Sequence, residues 1–403
     1  MTLTTDVAAL MLTRTSLILI ATLLLPASVL AAGMPPATIP ASDSEVLEKV
    51  AAPSDKTRRE ARALRQRLAA NPEDLATTLE LARGYLELSR RDADPRYVGY
   101  AEALLAPWLS KARTSAELRV MYAIVLQATH RFPQAISELE QAIKLDSRNA
   151  QAWLTLASIR QVQGDFAAAK KACLGLVTIL DAGVATRCIA GVELLGRGAP
   201  SAYARLSDDL RQGRIAEWER GALQVQLAES ATRMGNDAEA RMWFASAMKS
   251  NPDSYLKGAY ADYLLDHKQH AEVITLLRSE QAADPLLLRL AEATRAAGSS
   301  DQRQYVVALA ARFEATRERG DTTHLREESR FKLRLLGDAR GALELAKQNW
   351  KIQREPADAR VLLEAAAEAK NMAAAEPVLA WLRENGMSDV ALQPLLKRLG
   401  SKP

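Results

Sequence analysis

The chain has 403 residues, a formal net charge of +4, 25% charged residues and only 5% aromatic residues. Because acidic and basic residues are interspersed and no long block of Lys and Arg occurs, the composition argues against a nucleic-acid partner. Alanine and leucine dominate while glycine and proline are modest, a balance that favours helices over sheets.

Positions 1–32 differ from the rest of the chain. Arg14 precedes an uncharged apolar run, SLILIATLLLPASVL, and small residues follow it in VLAAG. The run is about 15 residues, shorter than the roughly 20 that a membrane-spanning helix needs. We therefore predict a cleaved secretory signal over 1–32 and a periplasmic location, with an uncleaved membrane anchor as the alternative. Translation starts at Met1 or Met11, and 33–56 is predicted to be a flexible lead-in.

Pairs of small residues recur along the remaining chain. Ala123 and Ala135 lie twelve positions apart, Ala157 and Ala169 repeat that spacing one period later (157 − 123 = 34), and further pairs follow. A period near 34 indicates stacked supersecondary units rather than a single globule. The predicted order is degenerate repeats with an insertion over 57–115, two clear units over 116–183, a degenerate hairpin over 184–220, two clear units over 221–287, and degenerate repeats with a capping helix over 288–403.

These units resemble tetratricopeptide repeats, which carry the signature W-x2-L-G-x2-Y, then A-x3-F, then P. In two of the four clear units, the matching residues are Trp153, Leu156, Ala157, Ala169 and Cys173, and Leu227, Ala228, Ala231, Ala240, Phe244 and Pro252. Arg160 stands where the family has Tyr. The resemblance implies an all-α fold, a right-handed superhelical solenoid of about eight antiparallel helix hairpins.

The small residues have a physical role in such a fold. Two antiparallel helices joined by a tight turn approach closely only if their crossing residues are small, so we expect Ala157 to face Ala169. We expect large neighbours to fill the grooves beside that crossing, namely Trp153, Leu156, Phe166 and Leu176.

Cys173 and Cys188 are the only cysteines, 15 positions apart. In an exported protein such a pair predicts a disulfide, here between the end of one hairpin and the start of the next. Two buried free thiols are the alternative. The absence of a Cys-x-x-Cys motif argues against a redox catalyst.

No constellation in the sequence predicts catalysis. His267 and His270 are three positions apart and could share a metal on one helical turn, but they map to an inter-helix turn, where we expect solvated side chains. No H-E-x-x-H, phosphate-binding glycine loop or G-x-S-x-G motif occurs. We therefore predict no catalytic residue, metal or cofactor, and keep a metal-handling or enzymatic protein as an alternative.

The resemblance implies a non-catalytic protein-binding scaffold or adaptor of the cell envelope. In this family the first helices of the hairpins line a concave groove, which suits a partner helix or an extended segment. The candidate groove residues are Val120, Ile124, Leu154, Ser158, Gln161, Val225, Glu229 and Thr232. Packing against adjacent helices is the alternative role for each, and the Lys and Asn that clamp a peptide carboxylate in some relatives are absent from these positions.

The insertion RRDADPRYVGYAEALLAPW is the second candidate surface. It places Tyr97, Tyr100 and Trp108 near Arg96 in a chain with few aromatic residues, and Tyr, Trp and Arg are enriched in binding hot spots. An irregular loop whose aromatic rings pack under neighbouring helices is the alternative. The partner protein and the oligomeric state stay open, as does peripheral attachment to an anionic membrane through surface Arg and Lys.

Overall fold

The structure is a computed structural model that describes residues 55–92, 94–110, 115–180, 182–250, 252–318 and 322–400, together with Ser42 and Gly320. The predicted signal over 1–32 and almost all of the lead-in over 33–56 lie outside the described residues. The described residues form helices and turns and contain no strand, which confirms the all-α class.

Twenty α-helices occur within the described residues, and α2 to α19 pack in consecutive pairs that form nine hairpins. They are α1 (Asp55–Ala70), α2 (Leu75–Asp92), α3 (Arg96–Leu109), α4 (Ala116–Ala128), α5 (Phe132–Leu145), α6 (Ala150–Val162), α7 (Phe166–Leu174), α8 (Ala182–Glu193), α9 (Ala199–Arg211), α10 (Glu217–Arg233), α11 (Asp237–Ala247), α12 (Ser254–Asp266), α13 (His270–Leu277), α14 (Asp284–Ala296), α15 (Gln302–Glu318), α16 (Leu325–Phe331), α17 (Ala339–Ile352), α18 (Pro356–Glu368), α19 (Met372–Asn385) and α20 (Gln393–Arg398). A π-helical turn, Lys332–Leu336, extends α16, and a 3-10 turn, Val390–Leu392, precedes α20.

The turns inside the hairpins repeat one backbone geometry. A residue with positive φ follows the first helix at His130 (55°), Gly164 (75°), Gly235 (74°), Lys268 (58°) and Lys370 (53°). A left-handed residue at this place ends a helix and lets following amides bond its last carbonyl groups. Two of the intervals between these positions are 164 − 130 = 34 and 268 − 235 = 33, so the backbone has the period that the alanines predict.

The small residues are buried, as expected for residues at helix crossings. Each is at most 4% exposed: Ala123, Ala135, Ala157, Ala169, Ala228, Ala240, Ala261 and Val273. Leu176 is fully buried in the same cluster as Ala157 and Ala169, and Trp153, Leu156 and Phe166 pack against that cluster.

The apolar side chains form four clusters that follow one another along the chain. They span residues 79–162, 150–192, 190–335 and 342–399. Neighbouring hairpins build each cluster, as in other repeat proteins. The last cluster belongs to α17–α20, and among its described, partly buried contributors only Phe166 comes from the first half of the chain.

The disulfide joins the end of one hairpin to the middle of the first helix of the next. Cys173 lies in the last turn of α7 and Cys188 in α8, and their Cα atoms are 5.6 Å apart. Both side chains are buried. The bond therefore ties the α6–α7 hairpin to the α8–α9 hairpin at the position that the sequence predicts.

The insertion is helical rather than a loop. α2 continues to Asp92 and α3 begins at Arg96, so the expected irregular loop near Tyr97 is wrong and Tyr97 lies in the first turn of a helix. Pro95 stands at the N-cap of α3 with φ −73°, and the side chain of Asp94 accepts a hydrogen bond from the backbone amide of Arg96 (3.0 Å). Proline is tolerated where no amide donor is required, and aspartate bonds free amides at a helix start.

The C-terminal hairpin α18–α19 contacts the turn between α6 and α7. The rings of Trp381 and Phe166 lie 5.6 Å apart, and Nε1 of Trp381 donates to the carbonyl of Gly164 (3.4 Å). The backbone amide of Arg354 donates to the carbonyl of Val162 (2.7 Å). These contacts join distant parts of the chain, so the stack is closed on itself rather than held by nearest neighbours alone.

The end of α19 and the segment after it continue along the next two turns. The backbone amide of Arg197, between α8 and α9, donates to the carbonyl of Asn385 (3.2 Å). Val390 lies against Gly235, between α10 and α11. The C-terminal part of the chain thus lies against three successive turns of the stack.

Candidate functional site

A cavity of about 210 Å³ lies where the first helices of the hairpins face one another. Every first helix from α6 to α18 contributes to its wall: α6, α8, α10, α12, α14, α16 and α18. At about 30 Å³ per water molecule the space holds roughly seven waters. It is smaller than typical small-molecule sites, which begin at roughly 300 Å³, because charged side chains fill much of the interior.

Four of the predicted groove residues line this cavity. Ser158 and Gln161 belong to α6, and Glu229 and Thr232 belong to α10. The hydroxyl of Tyr255 on α12 donates to Oε1 of Glu229 (2.6 Å). Burial raises the pKa of Glu229, against the opposing effects of Arg233 and Tyr255, so the closed interior favours the protonated acid.

The four apolar groove candidates lie in the hydrophobic clusters instead. Val120, Ile124, Leu154 and Val225 are each less than a tenth exposed. They occupy first helices, but on faces that pack against neighbouring helices. Such side chains reach a partner only if those helices move.

An ion-pair network crosses the cavity wall from α12 to α16. Asp262 accepts from Arg289 on α14 (2.5 Å) and pairs with Arg330 on α16 (2.7 Å). Burial alone would raise the pKa of Asp262, but the two guanidinium groups hold it well below its usual range. Arg330 also contacts Glu292 on α14 (2.6 Å). A carboxylate so placed holds three hairpins together.

The network continues through the π-helical turn to α18 and returns to α12. Arg334 pairs with Glu292 (3.2 Å) and with Glu364 (2.8 Å), and Glu364 also accepts from Arg360 (2.8 Å). Burial would raise the pKa of Glu364, yet Arg334 and Arg360 lower it to about 2. Arg360 then contacts Asp266 (2.6 Å), one helical turn from the start of the network.

A second cluster has too few positive charges for its carboxyl groups. Arg326 lies within 3.1–3.2 Å of Glu327, Glu355 and Asp358. One guanidinium cannot neutralise three buried carboxylates. Their different surroundings therefore give the three carboxyl groups different pKa values. The pKa of Glu327 is lowered, because Arg326 and His324 outweigh its burial. Burial raises the pKa of Asp358 and raises that of Glu355 to about 8.

These arginines were not predicted from the sequence. Arg326, Arg330 and Arg334 recur every four residues, a spacing that puts side chains on one helix face. Asp262 and Asp266 have the same spacing on α12. Matching charges at this interval on separate helices could have indicated a buried ionic interior.

The predicted surface near Tyr97 forms a three-tyrosine cluster at the N-terminal end of the described stack. The ring of Tyr97 lies 5.9 Å from those of Tyr85 and Tyr100, and Tyr85 and Tyr100 are 5.6 Å apart. Tyr85 is buried, whereas Tyr100 is 51% exposed. Arg96 does not point freely at a partner, because its Nε donates to Asp94 (2.9 Å). Trp108 is half-buried against the first cluster.

His267 lies in the turn between α12 and α13, where the sequence places it, whereas His270 is the first residue of α13. Nε2 of His267 contacts Asp237 (3.0 Å), and its Nδ1 lies 2.7 Å from the carbonyl of Tyr263. Across the part of the chain that the structure describes, no group of three or more His, Cys, Asp or Glu is arranged to hold a metal ion. In the same part, no helix is both long enough and apolar enough to cross a membrane.

No protein-family model and no curated protein matches this chain. The resemblance to tetratricopeptide repeats therefore rests on the residues quoted above.

Proposed function

We propose that this chain is a non-catalytic protein-binding scaffold of the cell envelope, built as a right-handed solenoid of hairpins like those of tetratricopeptide proteins. The observation that carries the proposal is that the first helices of seven consecutive hairpins, α6 to α18, face one common interior. Arrays with this arrangement offer a single continuous surface to a polypeptide. The Cys173–Cys188 disulfide supports an exported location, because such bonds persist in oxidising compartments.

The size of the interior favours an extended segment over a helix as the bound element. One turn of helix with side chains, about 10 Å wide and 5.4 Å long, occupies roughly 420 Å³. The cavity has about 210 Å³, half of that volume. A chain end or one or two side chains of an extended segment fit, with Ser158, Gln161 and Glu229 as their contacts.

The exposed Tyr100 provides a second contact point outside the cavity. Its ring is supported by Tyr85 and Tyr97, so it is held in place before a partner arrives. A fixed aromatic side chain loses little conformational freedom on binding. We propose that one partner protein contacts both Tyr100 and the cavity mouth.

Site-specific photo-crosslinking in the native envelope tests the proposal. A photoreactive residue replaces Tyr100 or Gln161, and the same residue at exposed Val307 serves as the control. We expect an adduct of the same mass from positions 100 and 161 and none from 307. Absence of an adduct from both test positions would refute the scaffold function.

Peripheral attachment to an anionic membrane is a second candidate, favoured by helix α1. Its residues Ala61, Leu64 and Leu68 pack on the first cluster, while Arg59 and Arg62 are exposed on the outer side. Exposed basic residues are attracted to anionic lipid surfaces. Flotation with anionic liposomes that is lost at high salt would favour this candidate, and absence of flotation at low salt would eliminate it.

A further inference from the structure

Three successive turns of the stack carry a glycine where the C-terminal helices come closest. A Cβ atom added at Gly164 would lie 2.8 Å from Nε1 of Trp381, and one at Gly196 would lie 2.9 Å from the carbonyl oxygen of Asn385. At Gly235 the nearest atom of the C-terminal segment would be 3.2 Å away. Side chains at these positions would therefore push the segment off the turns.

Gly196 has no role in its own hairpin that requires glycine. Gly164 and Gly235 have positive φ, so their turns favour glycine in any case, but Gly196 does not have that conformation. Among the described residues beyond its own chain neighbours, the one atom within 4 Å of its added Cβ is the carbonyl oxygen of Asn385. The absence of a side chain at this position serves the long-range contact.

Polar groups form much of this contact. Arg197 donates through Nη2 to the carbonyls of Arg383 (3.1 Å) and Glu384 (3.2 Å) at the end of α19, where a helix dipole favours positive charge. On the cavity side Arg360 pairs with Asp266. Glu355, at the N-cap of α18, pairs with Arg326, and Glu364 of α18 pairs with Arg334. Such groups regain water when they separate, so parting them costs less than exposing an apolar interface of the same size.

The C-terminal segment shares one core with α17, which contributes Ala342, Leu343, Ala346 and Trp350. The cluster over 342–399 is distinct from the cluster over 190–335, and Phe166 is the one described apolar contributor to it from the three contacted hairpins. Small changes distributed over several hairpins change the curvature of a repeat array. Release therefore moves α17 together with α18–α20 and keeps that core intact.

We propose that residues 339–398, which comprise α17, α18, α19, the 3-10 turn and α20, act as a releasable clasp. In the closed state the clasp lies on the turns at Gly164, Gly196 and Gly235 and covers the cavity. In the open state the walls that carry Gln161 and Glu229 become accessible to a partner chain. The gating of a partner rests on the proposed function, whereas the opening itself is a property of the isolated chain.

Distance measurements between spin labels test the opening on the full chain. Labels at Lys170→Cys and Glu384→Cys report on the clasp, since both positions are exposed and the native cysteines are already paired. We expect one main short distance and a minor longer one. Gly196→Val should raise the minor population about fivefold or more, because the added side chain overpacks only the closed state.

Gly221→Ala is the matched control, because a Cβ at that helical glycine meets no atom of the described residues within 4 Å beyond its own helix. It should leave the distances unchanged. If Gly196→Val lost helical content by circular dichroism, Asp266→Asn would decide instead, since it weakens the pair with Arg360. A single unchanged distance in the decisive variant would overturn the clasp.

The crosslinking experiment separates the clasp from the scaffold function. Gly196→Val should increase the adduct yield from position 161, inside the cavity, and leave the yield from position 100 unchanged. Equal yields in the variant and its parent would overturn the gating while the scaffold function stood. If the spin labels showed opening but no adduct formed at either position, the clasp would stand and the scaffold function would be refuted.

Discussion

The buried carboxyl group of Glu355 contributes to the pH dependence of this protein's stability. Its side chain lies 3.1 Å from Arg326, which also faces Glu327 and Asp358, and Glu229 lies near enough to oppose its charge. Burial raises the pKa of Glu355 to about 8. The variant Glu355→Gln removes the titration and keeps the size of the side chain and its carbonyl oxygen.

The magnitude follows from the difference between the folded and unfolded states. The ordinary pKa of a glutamate is 4.5 and that of Glu355 in the folded chain is about 8, a difference of about 3.5. Between these pH values the folded chain holds a proton that the unfolded chain has released, so stability falls as pH rises. At about 1.36 kcal/mol per pKa unit the total loss is about 5 kcal/mol, complete above pH 8.

Urea unfolding of parent and variant at pH 5, 7 and 9 measures this loss. We expect Glu355→Gln to lie within about 1 kcal/mol of the parent at pH 5, where Glu355 is protonated, and to be several kcal/mol more stable at pH 9. Glu327→Gln is the control, because its lowered pKa predicts a variant less stable than the parent at pH 7. Parallel stability curves for Glu355→Gln and the parent would refute the reasoning.

Three further variants test the packing and the cross-links. Ala157→Phe overpacks the α6–α7 crossing and should lower stability by about 1–3 kcal/mol, read as a fall in melting temperature; an unchanged melting temperature would show that the crossing is loose. Replacing Cys173 and Cys188 together by Ala should cost about 3 kcal/mol in urea unfolding, the value for a closed loop of 15 residues, and an unshifted midpoint would contradict it. Asp262→Ala leaves, among the described residues, the buried Arg289 without a carboxylate and Arg330 with Glu292 alone, at a cost of about 3 kcal/mol, whereas a cost below about 1 kcal/mol would mean that water already solvates these groups.

The hairpins were predictable because their packing is local. The spacing of Ala157 and Ala169 reflects a crossing between two helices that are adjacent in the chain, so a short stretch of sequence contains both sides of the contact. The same is true of Cys173 and Cys188. Each of these features is a relation between residues close together in the sequence.

The closure of the stack was not predictable from the same pattern. The contacts of Trp381 with Gly164 and of Asn385 with Arg197 join segments that no local period relates. The sum of many small rotations between hairpins decides whether such segments meet, and a sequence period does not state those rotations. Gly196 is visible in the sequence, but the reason for a glycine there is the close carbonyl oxygen of Asn385, which the sequence does not show.

The candidate site was predicted in part. The register of the first helices placed Ser158, Gln161 and Glu229 at the interior, where the structure has them. The same register also placed Val120 and Ile124 at the groove, but their apolar side chains pack in the core. Residue type at a groove position therefore carries as much information as the position itself.

Closure also constrains how this chain can change its length. An open stack gains or loses a hairpin at its end with little effect on the others, since each unit contacts its neighbours alone. Here Trp381 meets Gly164 only with the present number of hairpins between α7 and α19. Deletion or duplication of one internal unit would shift the far end by a whole hairpin, so the repeat count of this protein is part of its tertiary structure.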